Sequence, residues 1–311
     1  MKLLGKYKNG NYNVIIFDDG TKVRKNDLDF FDPEYPESMD IKITDMCDRG
    51  CPFCHENSTP SGKHGDIMNL KFIDTLMPYT ELAIGGGNPL EHPQLVEFLE
   101  KCKKLKLIPS MTVNQVHFIK DFDKIKYLVD NKLIYGLGIS LVSVNDSFIE
   151  KVKQFDNAVI HVINGVQPLS DLQKLYDNNL KILILGYKEF RRGKDFYSEK
   201  VEEGKTDLYN ELAKFVKHFK VVSFDNLALK QLNPRRLVSQ EEWDNWFMGD
   251  DGQFTMYVDC VNELFAQSST APFEKRYTIK DNIKDMFDVI RNNKKMSDLN
   301  NITFEENGIP Q

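Results

Sequence analysis

The sequence predicts an α/β fold built on a parallel sheet with helices packed on its faces. Three observations predict it. Six near-continuous apolar runs suit strands covered on both sides: Ile41 to Thr44, Glu81 to Gly86, Leu107 to Val113, Ile134 to Val142, Ala158 to Asn164 and Leu180 to Gly186. Between them apolar residues recur at helical spacing, as in Leu95, Phe98, Leu99 and Cys102; Ile119, Phe122, Ile125 and Val129; Phe148, Ile149, Val152 and Phe155; and Leu208, Leu212, Phe215 and Phe219. Two motifs fall directly after candidate strands, at the strand ends where parallel α/β folds place ligands. Periodicity alone leaves open whether the sheet is flat or curved into a partial barrel.

Residues 1–40 read as a small antiparallel unit ahead of this domain. Asn9-Gly10 and Asp19-Gly20 are hairpin turn signals, and Tyr12 to Phe17 is rich in β-branched and aromatic residues, so a three-stranded meander is expected, ending at Pro33 and Pro36. Such a unit buries little by itself and reads as a structural cap on the main domain. Residues 41–224 carry the six strand and helix pairs, and residues 225–311 form a C-terminal extension. Tyr187 to Thr206 lacks clean helical spacing and is expected as a long loop over the strand ends, with Arg191 and Arg192 able to fork onto an acidic or phosphorylated group. Phe219 to Phe224 reads as one more strand. Ser239-Gln240-Glu241-Glu242 is a capping box, opening a helix whose Trp243, Trp246 and Phe247 are expected in the core. Gln253 to Gln267 alternates as a β-hairpin with Asn262 near its turn. Ile279 to Ile290 reads as a last amphipathic helix, followed by an Asn- and Lys-rich tail of disordered composition. Cys102, on an apolar helix stripe, reads as core.

The chemistry concentrates between Thr44 and Asn57, TDMCDRGCPFCHEN. Cys47, Cys51 and Cys54 stand in C-x3-C-x2-C spacing, so three soft thiolates converge from one loop. A structural zinc site or an electron-transfer cluster asks for four closed ligands, so three cysteines point to a metal held open for chemistry. The other reading of the triplet is a zinc site completed by His55 or His64. No second ligand pair sits at zinc-finger distance.

This spacing, with Phe53 before the last cysteine, resembles the cluster loop of the radical S-adenosylmethionine (radical SAM) superfamily. The second motif, Gly85-Gly86-Gly87-Asn88-Pro89, resembles that superfamily's glycine-rich strand end, with Asn88 where Glu is common. The resemblance implies a partial (β/α)6 barrel whose first strand leads into the cluster loop. It implies a [4Fe–4S] cluster on Cys47, Cys51 and Cys54 whose remaining iron is chelated by S-adenosylmethionine (SAM), one-electron cleavage to a 5′-deoxyadenosyl radical, and a flavodoxin or ferredoxin-type electron donor. By the same resemblance, Gly85 to Pro89 hold the methionine moiety and Phe53 lies near the adenine. Asn114 and Ser140 touch SAM from the third and fourth strands, and Gly186 and Tyr187 offer backbone to the adenine. An amide oxygen or backbone carbonyl at Asn88 would accept from the methionine ammonium. His161 reads equally as an interior histidine, and Asn164 ends the fifth strand.

The C-terminal hairpin resembles those of SPASM and twitch extensions, which directs the substrate expectation towards a peptide or protein. A nucleotide-like or other small metabolite is the alternative, on the basic residues of 187–206. Cys260 is alone in the hairpin, and Ser268 and Ser269 stand where another ligand would fall, so no second cluster is expected. Tyr187, Tyr197, Cys260 and Asp259 are candidate proton or hydrogen donors. A net charge of −6 argues against nonspecific nucleic-acid binding. No apolar run approaches the ~20 residues of a membrane span, and MKLLGKYKNG turns polar too early for a signal peptide. A cytoplasmic location is expected, where clustered cysteines are metal sites more often than disulfides. The competing class is a non-catalytic zinc or redox-sensing module.

Overall fold

The computed structural model describes residues 1–28 and 30–300, with the backbone alone for 295–300. The chain opens with an antiparallel meander, β1 (Leu3–Asn9), β2 (Tyr12–Phe17) and β3 (Lys22–Lys25). Its first turn needs glycine: Gly10 has φ +59°, and a Cβ there would stand 1.9 Å from the Asp32 carbonyl oxygen. The buried carboxylate of Glu37 fastens the meander to the next strand. It accepts from the Tyr12 hydroxyl (2.5 Å) and from Arg24 Nε (2.8 Å).

Ten further strands make one sheet: β4 (Ser38–Thr44), β5 (Glu81–Gly86), β6 (Ile108–Asn114), β7 (Gly136–Ser140), β8 (Ala158–Ile163), β9 (Lys181–Leu185), β10 (Val221–Phe224), β11 (Thr255–Asp259), β12 (Leu264–Ala266) and β13 (Tyr277–Thr278). Their order is β10-β9-β8-β7-β6-β5-β4-β11-β12-β13. From β10 to β11 every neighbouring pair is parallel, and β12 and β13 are antiparallel. The six expected strands are thus flanked by β10 on one side and β11 on the other. Asp40 on β4, Ala83 on β5, Thr112 on β6, Ser140 on β7, His161 on β8, Leu183 on β9 and Tyr257 on β11 all line one cavity, so the sheet curves. It is a partial barrel whose edge strands are β10 and β13, with β11 paired on both sides, to β4 and to β12.

The helices are α1 (Leu95–Lys104), α2 (Gln115–Lys120), α3 (Phe122–Asp130), α4 (Asp146–Val152), α5 (Leu169–Leu172), α6 (Arg192–Phe196), α7 (Glu199–Phe215), α8 (Asn226–Leu232), α9 (Gln240–Trp246) and α10 (Ile283–Asn300). Four begin on a residue that caps them at once: the side chains of Asn114, Asn145, Asp225 and Ser239 accept from the second or third backbone N–H of α2, α4, α8 and α9. Ile41, Ile43, Ile84, Ile139, Ile160 and Ile184 are buried on the outer face of the sheet with Phe98, Leu99, Phe148 and Leu212 of the helices. At the opposite end from the strand C-termini, Glu37 N donates to Phe254 O and Asn157 Nδ2 to Asp18 O, so the meander packs on the rim remote from the cysteine loop.

Four expectations are corrected. Residues 187–206 are largely helical, forming α6 and the start of α7; the α7 stripe of Val201, Leu208 and Leu212 is interrupted at Gly204, which packs against Gly165. The helix expected through Ile119 and Phe122 breaks at Asp121, leaving Ile119 exposed and burying Phe118 instead. The capping box of α9 is present, but no residue of that helix is buried: Trp246 is 64% exposed, and Trp243 stacks on Phe247. α10 continues to Asn300, so the Asn- and Lys-rich stretch after Ile290 is helical as far as that, and 301–311 lie outside the described residues.

Candidate active site

The chain leaves β4 at Thr44 and enters the cysteine loop at once. The excursion is closed by its own backbone: Cys47 N donates to Thr59 O (2.8 Å), Asp45 N to Lys63 O (2.8 Å) and Gly65 N to Ile43 O (2.8 Å). Inside it, Cys54 N donates to Cys51 O at 3.2 Å, a tight turn that brings the last two cysteines together. Cys47, Cys51 and Cys54 are free thiols, half-buried, on the wall of one cavity of about 720 Å³. Burial, then the neighbouring Cys54, pushes the Cys51 thiol up; burial also leads for Cys47. A bound cationic metal reverses that penalty by stabilising the thiolates.

The glycine segment lies beside this loop. Gly87 N donates to Thr44 O (2.7 Å) and Asn88 N to Met46 O (2.6 Å). The contact is close enough to exclude side chains: a Cβ on Gly86, whose φ is +112°, would stand 2.4 Å from Thr44 O, and one on Gly87 2.2 Å from Met46 O. Gly85 differs, since no atom lies within 4 Å of its Cβ position, which opens onto the cavity.

Phe53, Gly85, Gly86, Gly87, Asn114, Ser140, Gly186 and Tyr187 join the three cysteines on the cavity wall. Asn88 and Pro89 lie off it, both buried; Asn88 Oδ1 accepts from Leu90 N (3.3 Å), capping a short 3-10 turn, and its amide nitrogen has no partner among the described residues. Asn114 Oδ1 is engaged with Val116 N (2.9 Å). The N–H groups of Gly186 and Tyr187 are held by Asp225 and Gln231, and the Tyr187 carbonyl accepts from Gln231. His161 is on the wall, and burial lowers its pKa to about 4, leaving a neutral imidazole laid against Gly138. Asn164 is buried off the wall and bonds Gln231. Of the candidate donors, Tyr187 alone lines the cavity, with its hydroxyl already donated to Gly193 O.

Charges brace the loop from behind. Lys42, 2% exposed, meets Asp45 Oδ1 (2.7 Å), Glu56 Oε2 (3.1 Å) and Asp259 Oδ2 (3.2 Å). Arg191 donates to the carbonyls of His55 (3.2 Å) and Glu56 (2.8 Å), and Arg192 to that of Ser58 (2.6 Å). Phe196 meets Phe53 edge to face. The two arginines expected to receive an anion thus hold segment 187–197 down on the cysteine loop. His55 faces Lys188 and Glu56, and His64 faces Thr44 and His92. The imidazole near the cysteines is His117 on α2, whose Nε2 lies 2.6 Å from Asp48 Oδ1; ligand atoms of Cys47, Asp48 and His117 fall within 4.8 Å of one another. No spacing rule points to a residue so far along the chain.

No protein-family model and no curated protein sequence matches the chain. Solved structures do. Crystal structures of Streptococcus suis SuiB, a radical SAM enzyme, superpose with a TM-score of 0.57 when bound to the precursor peptide SuiA (14% identity, 82% of this chain, 65% of that one). The value is 0.58 when SuiB is bound to SAM (14%, 83%, 66%), and 0.59 for a third SuiB structure (13%, 93%, 87%). The chain shares the fold of SuiB. The chain spans 65% of the length of peptide-bound SuiB. The residues fit a cluster and SAM: three free thiols share a wall with a glycine whose Cβ position is empty space. Among the described residues no helix is long and apolar enough to cross a membrane.

Proposed function

We propose that this chain is a radical SAM enzyme acting on a peptide or protein. The observation that carries the reading is the shared wall: Cys47, Cys51 and Cys54 and the Gly85–Gly87 cradle open onto one cavity at the C-terminal ends of β4 and β5. When bound there, a [4Fe–4S] cluster and SAM supply one-electron cleavage and a 5′-deoxyadenosyl radical that takes a hydrogen atom from the substrate.

The chain's own residues orient and enclose. Cys47, Cys51 and Cys54 are the ligands, and Lys42, Arg191 and Arg192 hold their loop in place. Gly85 would leave room for the methionine moiety, Phe53 and the carbonyl of Gly186 would hold the adenine, and Ser140 and the Asn114 amide would serve the ribose or carboxylate. Segment 187–197 covers the loop and excludes water from it. A flavodoxin or ferredoxin-type protein supplies the electron. A peptide substrate is favoured because a similar fold, SuiB, is seen with a precursor peptide. A nucleotide-like substrate loses the support of Arg191 and Arg192, which are occupied by carbonyls of the cysteine loop.

Anaerobic reconstitution tests the reading. Iron and acid-labile sulfide at about four each per chain are expected for the cubane, with an electron paramagnetic resonance signal that changes on adding SAM. A second reading has its own observation: the convergence of Cys47, Asp48 and His117 suits a zinc ion in a non-catalytic module. Stoichiometric zinc, and iron that neither loads nor responds to SAM, would select it.

A further inference from the structure

The cavity has two unlike walls. Along β5 to β8 it is small and neutral, with Gly85, Thr112, Ser140 and His161. Toward β10, β11 and β4 it is acidic: Asp225 follows β10, Asp251 precedes β11, and Asp40 is on β4. Most charges on that side are already engaged. Asp225 accepts from the N–H groups of Gly186 (2.9 Å) and Ala228 (2.7 Å), and Asp251 from Asn226 (2.7 Å). Glu56 is met by Lys42 and Arg191, and Lys188 donates to Ser269.

Two groups stay free. Asp40 has no ion pair or side-chain hydrogen bond among the described residues; the cavity's solvent reaches it, although protein surrounds it. Tyr257, its register partner on β11, is 3% exposed and lines the cavity; the Arg276 guanidinium lies over its ring (5.2 Å), and its hydroxyl has no hydrogen-bond partner of normal geometry among the described residues. A buried hydroxyl without a partner costs stability unless something else meets it. Burial disfavours the ionised form of Asp40; among its charged neighbours Lys188 opposes that effect and Asp251, Asp225 and Glu56 add to it, and a cation brought beside the carboxylate would favour ionisation.

We propose that this wall recognises a protonated nitrogen of the substrate, the ammonium of a lysine side chain, with Asp40 as the anionic partner and the Tyr257 hydroxyl as the polar contact beside it. The inference rests on the peptide reading above and narrows it to peptides with a basic residue at the reacting position.

The test measures binding of three probes to the full-length protein by nuclear magnetic resonance titration: acetyl-Ala-Lys-Ala-amide, the same peptide with Nε-acetyl-lysine, and Ala-Ala-Ala-amide with a free amino terminus. The lysine peptide should bind about tenfold more tightly than its acetylated form, as for one charge-assisted hydrogen bond. Asp40→Asn should abolish that advantage, and Tyr257→Phe should weaken the lysine peptide while preserving the order. Equal binding of the lysine and acetyl-lysine peptides by the wild type overturns the proposal, as does an advantage that survives in a folded Asp40→Asn variant. Tighter binding of the free-amine peptide overturns the side-chain assignment. Binding needs no cluster, so a missing preference with SAM cleavage intact sinks this inference alone. An intact preference without SAM cleavage sinks only the enzymatic reading.

Discussion

His117 and Asp48 join helix α2 to the middle of the cysteine loop, Nε2 to Oδ1 at 2.6 Å, with the imidazole 1% exposed. A ligand loop gains rigidity from such contacts outside the metal's own ligands, and their loss costs 10- to 100-fold in metal retention, by about the lower figure for a single clamp. His117→Ala should therefore release iron to a chelator about tenfold faster than wild type, while its circular dichroism spectrum is unchanged. Equal release rates would show that the loop holds itself.

Gly85 separates the cofactor cradle from the fold. With nothing within 4 Å of its Cβ position, Gly85→Val adds a side chain to the cavity without a clash, in a strand where valine is favoured over glycine. Calorimetry should find SAM binding lost and the melting temperature kept or raised. Gly87→Ala should behave oppositely, because its Cβ would press on the Met46 carbonyl. It should lower stability by about 1–3 kcal/mol, the range for an overpacked site, in urea titrations.

Lys42 tests what braces the loop. It is 2% exposed and shared by Asp45, Glu56 and Asp259, so Lys42→Met removes their common cation and leaves only the longer contacts of Arg191 to Glu56 (3.6 Å) and Arg276 to Asp259 (3.7 Å). Breaking a buried pair from one side costs about 3–5 kcal/mol, and urea denaturation at neutral pH should show a loss of that order. A loss below about 1 kcal/mol, the level of a surface pair, would mean that the loop does not depend on this centre.

Asp40 should reveal itself through pH. Burial first, then Asp251, Asp225 and Glu56 against an opposing Lys188, raise its carboxyl from 3.8 to about 6. The folded protein therefore holds this proton more tightly than the unfolded chain. As pH rises from about 4 to about 6 the unfolded chain ionises first, and the folded state loses stability that it retains at lower pH. Asp40→Asn should raise the melting temperature at pH 7.5 and change it little at pH 4. An equal change at both would remove the claim that the barrel interior strains this group.

Much of this was legible in the sequence because the signals are local. Ala158 to Ile163 is apolar at every position but His161, as suits a strand covered on both faces. Three cysteines within eight positions can only share a loop. Residues whose role depends on distant neighbours were not legible. The α7 stripe hides where Gly204 lets the helix approach Gly165, since a close contact removes the side chain that would mark it. Trp243 and Trp246 have core composition, but α9 lies on the surface and buries neither. Asn88 sits inside a recognisable motif yet caps its own turn. Asp40 and Tyr257 meet only because β11, 217 residues after β4, returns to pair with it in parallel.

The most direct test is formation of 5′-deoxyadenosine. The anaerobically reconstituted protein, given a chemical reductant and SAM, should produce it in amounts detectable by mass spectrometry, and Cys51→Ala treated identically should produce none. Absence of 5′-deoxyadenosine from an iron-loaded wild-type protein, or its undiminished formation by the Cys51→Ala variant, would contradict the account.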